Sequence, residues 1–332
     1  AKLNLINFSI DAKTIGTDLI YKNRIIKLEN IKSQISLKSL INNKFAFSGI
    51  LISTKSIPVK DLISFIRLIN SDPKLFIAEQ FISNGYIVAD LKLDFDEFGN
   101  IKNDYKINGL VNDGQISLLN KRISKLDFIF HISNKEFILN EIKLLLNNKR
   151  IIIPELIGLR EDQGFFISGK LTNKDLVLNE KDLKNFVNNE FLKLNLKEIK
   201  FSSDIDFSFK VDQKYKFKNV SFNSIINLDH LKINNVLKLY KIFPNIKNDT
   251  ILNNQKIEIK YNKNKIEIIG SGNIFLQDKA DIIKYKVINH KEEFYFDTSL
   301  KISKNPLIID LLDYEKNKKS NLNLNFKGKL NN

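Results

Sequence analysis

The sequence predicts a mostly β protein: a long, curled antiparallel sheet, taco-like around a hydrophobic groove, with a few short helices. Three observations predict it. Apolar and polar residues alternate with period two along most of the chain, the signature of strands with one buried face. Short turns rich in Asn, Asp, Lys and Gly join successive runs, so hairpins are the default connection. The runs number about sixteen, and twisted sheets beyond about ten strands curl, split or close. Sixteen strands at about 4.8 Å make a stack of roughly 75 Å. A two-sheet sandwich and a closed barrel satisfy the same pattern.

The elements follow in order. Residues 1–56 read as N-terminal strands, 57–85 as a helical pair, and 86–332 as an extended antiparallel sheet with short helical insertions, together one continuous elongated unit. In the helical pair, Leu62, Phe65, Ile66 and Ile69 recur at helical spacing. Asp72-Pro73 interrupts, and Leu75, Phe76, Phe81 and Ile82 continue to a stop at Gly85. Asn108-Gly109 and the run 112–114 are turn signals, because Asn, Asp and Gly tolerate positive φ. Further short helices are expected at 181–192, at 235–243 before Pro244, and at 305–314, where Pro306 stands at a helix start.

Three hairpins stand out. Ile205, Phe207 and Phe209 alternate with charged or small residues, and Tyr215 and Phe217 follow the turn at 212–214. Ile257 and Ile259 lead through the turn at 262–264 to Ile266 and Ile268. Tyr285 and Val287 lead through 289–291 to Phe294 and Phe296. Gly270 and Gly272 lie in register on one strand face, which points to a bend or a close backbone approach. The chain begins and ends inside strand pattern and contains no Met, which reads as an excised piece of a longer protein.

Composition narrows the function. There are 53 Lys and Arg against 38 Asp and Glu, a net charge of +15. Lys is nevertheless spread along the whole chain, whereas a nucleic-acid footprint clusters on one face. Heavy use of Lys, Asn and Ile matches A/T-rich codons, so no nucleic-acid partner is expected. With no Cys there is no disulfide, zinc knuckle, iron–sulfur cluster or thiol nucleophile. No run approaches the ~18 apolar residues of a membrane-spanning helix, and no signal-peptide pattern opens the chain.

Chemistry-bearing motifs are equally sparse. His131, His230 and His290 share no ligand spacing. Asp94, Asp96 and Glu97 beside Gly99 lack the ordered spacing of a calcium loop and read as a solvated turn. Glu161-Asp162 and Glu292-Glu293 read as turn residues, and Gly270-Ser271-Gly272 lacks the third Gly and the helix of a dinucleotide site. Neither a nucleophile elbow nor a Walker A motif occurs. The expectation is a non-enzyme with no cofactor, no metal and no catalytic residue.

The stretch 85–173 carries a family resemblance. It reads GYIVADLKLDFDEFGNIKNDYKINGLVNDGQISLL, then KLDFIFHISNKEFILNEIKLLLNNKRIIIPEL, then GFFISGKLTN. Its alternation of short strands with FDEFGNI and NGLVNDG turns resembles the AsmA-like superfamily, which includes the TamB and YhdP types. The likeness extends more weakly to the hairpins from Ile205 onward. It implies a curled sheet with a hydrophobic interior, anchored in the inner membrane of a Gram-negative bacterium and extending through the periplasm. It also implies phospholipid transport toward the outer membrane, or maintenance of that membrane, with outer-membrane assembly proteins as possible partners. The membrane helix of a full member is missing here.

On this reading Ile205, Phe207, Phe209, Tyr215, Phe217, Ile257, Ile259, Ile266, Ile268, Phe294 and Phe296 line a rail for phospholipid acyl chains. The alternative is a structural or adhesive envelope protein in which the same residues form a dry core.

Overall fold

The computed structural model describes residues 1–6, 8–22, 24–69, 76, 79–102, 104–118, 121–182, 196–214, 216–234, 246–291, 293–309 and 312–331. Nineteen strands belong to one antiparallel sheet that is not closed into a barrel. The predicted class is therefore borne out, and the barrel alternative falls. A separate pair, β19 (Leu307–Ile309) and β20 (Tyr314–Lys316), brings the strands among the described residues to twenty-one; with β1 (Lys2–Asn4), β3 (Asp18–Tyr21) and β6 (Ile57–Pro58), these five very short strands account for the excess over about sixteen. Of the expected helix at 181–192, residues 181 and 182 are helical and the rest lie outside the described residues, as does the whole of 235–243; in the second helix of the pair, residues 76 and 79–81 are helical, and Ile82 already begins a strand.

The chain forms two compact units: residues 1–169 with 211–214, and residues 170–210 with 215–332. In the first unit, β2 (Ser9–Ile15) pairs with β1 and with β4 (Arg24–Ser36), and β3 extends beside the start of β4. The ladder continues through β5 (Phe47–Thr54), β7 (Ile82–Asp94), β8 (Lys106–Leu118), β9 (Lys121–Ser133), β10 (Glu136–Leu146) and β11 (Lys149–Glu161). Between β5 and β7 the chain leaves the sheet to form α2 (Val59–Ile69), the first helix of the predicted pair; the one-turn α1 (Leu37–Ile41) precedes it. Pro58 stands just before α2, Asp61 lies in its first turn and Arg67 in its last, in keeping with the helix dipole. Its apolar stripe packs onto one sheet face, where Phe65 joins Ile26, Leu28, Ile57, Ile87, Ala89 and Phe130 in a buried cluster.

In the second unit, β13 (Leu196–Asp212) and β14 (Phe217–Asn234) are followed by β15 (Asp249–Asn262), β16 (Lys265–Phe275), β17 (Asp281–His290), β18 (Glu293–Ile302) and β21 (Leu322–Asn331), each pairing antiparallel with the next from β14 onward. The polar face of these strands carries cross-strand ion pairs, such as Lys286–Glu267 at 2.7 Å and Lys327–Asp297 at 2.9 Å. A buried cluster of Ile274, Leu276, Leu300, Ile302 and Leu307 closes one end.

The expected helix at 305–314 is not formed. Leu307–Ile309 is the extended strand β19, paired with β20. The reason is tertiary. Asn305 is buried and donates to Lys279 O and Asp281 Oδ2, both at 2.7 Å. Lys316 is wholly buried, and its Nζ donates to the carbonyls of Ser303, Asn305 and Asn317 at 3.2, 2.7 and 2.9 Å. Carbonyls committed to this ammonium are not free for helical bonding. Burial holds the Asp281 carboxyl above its ordinary range, against the pull of Asn305, the Ser303 amide and Lys316.

Bulges interrupt several ladders. Asp113, Glu141 and Asn254 take positive φ where the pairing shifts register. Each bends its strand and increases the local twist. The freed amide of Asp113 is caught by Asp127 Oδ1 at 2.8 Å.

Candidate functional site

The sequence-predicted rail maps onto the apolar face of the second unit. Ile259, Ile268, Val287 and Phe296 stand directly opposite one another across β15 to β18, a single row over four strands. Ile257 faces Gly270, and Ile266 faces Tyr261. Phe294 and Phe296 are neighbours on one strand with ring centroids 6.2 Å apart. All six of these candidates (Ile257, Ile259, Ile266, Ile268, Phe294 and Phe296) are half-buried. On β13, Ile205, Phe207 and Phe209 are half-buried too, and Phe207 and Phe209 stack at 6.1 Å. Phe217 touches Phe209 at 5.2 Å but is 68 % exposed, so it lies at a rim. Tyr215 lies outside the described residues.

The row is not wholly apolar. Ser224 stands opposite Ile259, and Gln255 stands opposite Leu228; both polar side chains are buried. By alternation both stand in the apolar rows, Ser224 in step with Phe222 and Leu228 and Gln255 with Ile257 and Ile259. The bulge at Asn254 shifts the pairing of β15 with β16 beside Gln255.

Glycines shape the same face. Gly270 pairs directly with Tyr285, and Gly328 with Phe296. In the first unit Gly109 pairs with Phe130 and Gly158 with Phe137. A Cβ at any of the four would lie 2.1–2.6 Å from the facing ring. Each ring therefore lies down over its glycine instead of standing off the sheet. Burial accordingly pushes the Tyr285 phenol up. The close backbone approach expected at Gly270 and Gly272 is found at Gly272, where a Cβ would lie 2.6 Å from Asn254 O; at Gly270 the neighbour is the Tyr285 ring instead.

A site that the sequence reading did not assign lies in the first unit. Beneath α2, between the helix and strands β3 to β10, is a cavity of about 650 Å³. Its floor includes Ile26, Leu28, Ala89 and Phe130, and its roof Leu62 and Phe65 from the helix. Leu19 and Ile66, 41 % and 37 % exposed, mark where it opens to solvent. Thr54 is the one polar residue among its described lining; its Oγ1 accepts the Ala89 amide at 2.9 Å, and no polar atom reaches the cavity surface. The outer side of the helix is latched: Ser64 Oγ and Arg67 Nη1 both donate to Glu79. The Ser64 hydrogen bond, then Arg67, holds the Glu79 carboxyl below its ordinary range. The helical spacing of Leu62, Phe65 and Ile66 announced an apolar helix face. That a small residue, Ala89, would stand in the floor beneath it was not legible without the strand register.

Two of the histidines and the carboxylate of the turn at 94–99 have structural partners. His131 and His230 each bond through Nδ1 to a directly paired asparagine, Asn108 and Asn253, at 3.0 Å. Asp96 accepts the Phe98 and Asn100 amides and the Asn100 side chain, which depresses its carboxyl and folds the turn read from sequence. Among the described residues no cluster of His, Cys, Asp or Glu has the arrangement of a metal site.

Fold and site together define a class: an antiparallel β-sheet protein with one charged and one apolar face, and an apolar cavity beneath a helix. No known protein family, curated protein or solved structure matches the chain.

Proposed function

We propose that the protein binds the acyl chains of phospholipid or a similar lipid and guides them along the apolar face of its sheet, without performing chemistry on them. The observation that carries this reading is the cavity of about 650 Å³ with hydrocarbon walls, a volume within the ~300–1,000 Å³ range of ligand pockets. Each methylene moved from water into such a space contributes about 0.8 kcal/mol. A sixteen-carbon chain gains on the order of 10 kcal/mol, less the cost of ordering it. Head groups stay in water beside the dispersed lysines. The resemblance to AsmA-like proteins supports a setting for this activity: the periplasmic part of an inner-membrane-anchored protein that serves outer-membrane lipid transport or envelope maintenance, with outer-membrane assembly proteins as partners.

A second reading, a structural envelope protein with a dry core, is favoured by one observation: Ile302 and Leu307 are wholly buried against their neighbours. Mass spectrometry of organic extracts from detergent-free protein separates the two. Stoichiometric phospholipid that disappears on Phe207→Asp, or on Ile268→Asp, supports the lipid rail. A folded, lipid-free wild type would overturn it in favour of the dry core.

A further inference from the structure

We infer that the cavity beneath α2 takes the methyl end of an unsubstituted hydrocarbon chain and rejects a chain hydroxylated at that end. This rests on the acyl-binding reading and narrows it. The cavity is buried at its deep end, where Leu28, Phe130 and Phe65 are 1 %, 4 % and 5 % exposed, and open at Leu19 and Ile66. A chain that enters there leads with its apolar tip, because a carboxylate or phosphate taken into hydrocarbon walls would lose its hydration with no partner. At the deep end no polar atom reaches the surface, and the Thr54 oxygen is already engaged by Ala89 N–H. A hydroxyl carried to that point exchanges its water partners for none. Apolar pockets reject an added hydroxyl by roughly 10–100-fold. Selection against such chains follows from the wall alone and needs no dedicated recognition residue.

The test is equilibrium binding of hexadecanoate and 16-hydroxyhexadecanoate to the full, delipidated chain, each below its micellar concentration. Wild type should bind the hydroxylated chain about 10–100-fold more weakly. Ala89→Leu fills part of the floor, displaces two or three ligand methylenes, and should weaken hexadecanoate roughly 15–60-fold with an unchanged circular-dichroism spectrum. Val111→Thr is close to isosteric and sets a hydroxyl in the wall; it should narrow the ratio between the two ligands by improving the hydroxylated one. Equal wild-type affinities for the two chains, both weakened by Ala89→Leu, would overturn the selectivity and leave acyl binding standing. Hexadecanoate binding indifferent to Ala89→Leu would place the chain end elsewhere and overturn the inference in the same way. Failure of wild type to bind either chain would overturn the acyl-binding reading itself.

Discussion

Ala89→Leu has opposite effects on stability in a cavity and in a dry core. Ala89 lies on β7 at 8 % exposure, beside Gly109 and under the α2 roof, and its methyl lines the cavity. Leucine adds three carbons. If they enter existing space, they gain about 0.8 kcal/mol each, near 2 kcal/mol in total. In a close-packed core the same carbons would force neighbours off their rotamers and cost about 1–3 kcal/mol. The two cases are therefore separated by several kcal/mol and differ in sign. For a unit of this size the stabilising case raises the thermal transition by roughly 4–8 °C. Urea titration followed by circular dichroism, with a thermal scan beside it, reads the difference. A lowered midpoint would refute the cavity as usable space, and with it the volume argument for a bound chain.

Other predictions follow from the geometry. Ile302→Ala should destabilise the second unit by about 2–5 kcal/mol, read from the denaturant midpoint, because the side chain is wholly buried in its cluster. Asp281 has its folded pKa raised, so its contribution to stability is greatest below the unfolded carboxyl pKa and declines as pH rises through the folded one. Wild type should thus lose stability relative to Asp281→Asn as pH rises from below the unfolded carboxyl pKa, and a constant difference would contradict the burial argument. Glu79 is the reverse: its pKa is lowered, its contribution is present above the ordinary carboxyl range, and it is lost as pH falls through the depressed value. Glu79→Gln should loosen α2 at neutral pH, seen as faster proteolysis near 60–80, and acid should bring wild type to the same rate.

Much of this fold could be read from alternation, because a strand with one wet face writes its period directly into the chain. The hairpins through 262–264 and 289–291, the helix carrying Leu62 and Phe65, and the turn at Asp96 all follow from local chemistry. What failed was set by distant partners. Pro306 looked like a helix start, yet Asp281 and Lys316 hold Asn305 and its carbonyl in an extended path. Gln255 was not singled out, and it is buried opposite Leu228 on the apolar face. Ile257, Ile259, Ile266, Ile268, Phe294 and Phe296 share one face of β15 to β18, since direct pairing preserves the face. The cavity was not legible because it depends on what Ala89 lacks, and missing volume has no periodicity.

The way the hairpins of the second unit succeed one another bears on how this protein folds and varies. From β14 to β18 every strand pairs with its immediate neighbours in sequence. Contacts of short sequence separation close small loops, so ordering can begin at any hairpin and spread outward like a zipper, with quick kinetics for an all-β chain. Removing β16 and β17 together would leave β15 and β18 still antiparallel to each other. The architecture can therefore be lengthened or shortened in two-strand steps, which makes its span a heritable variable independent of its cross-section.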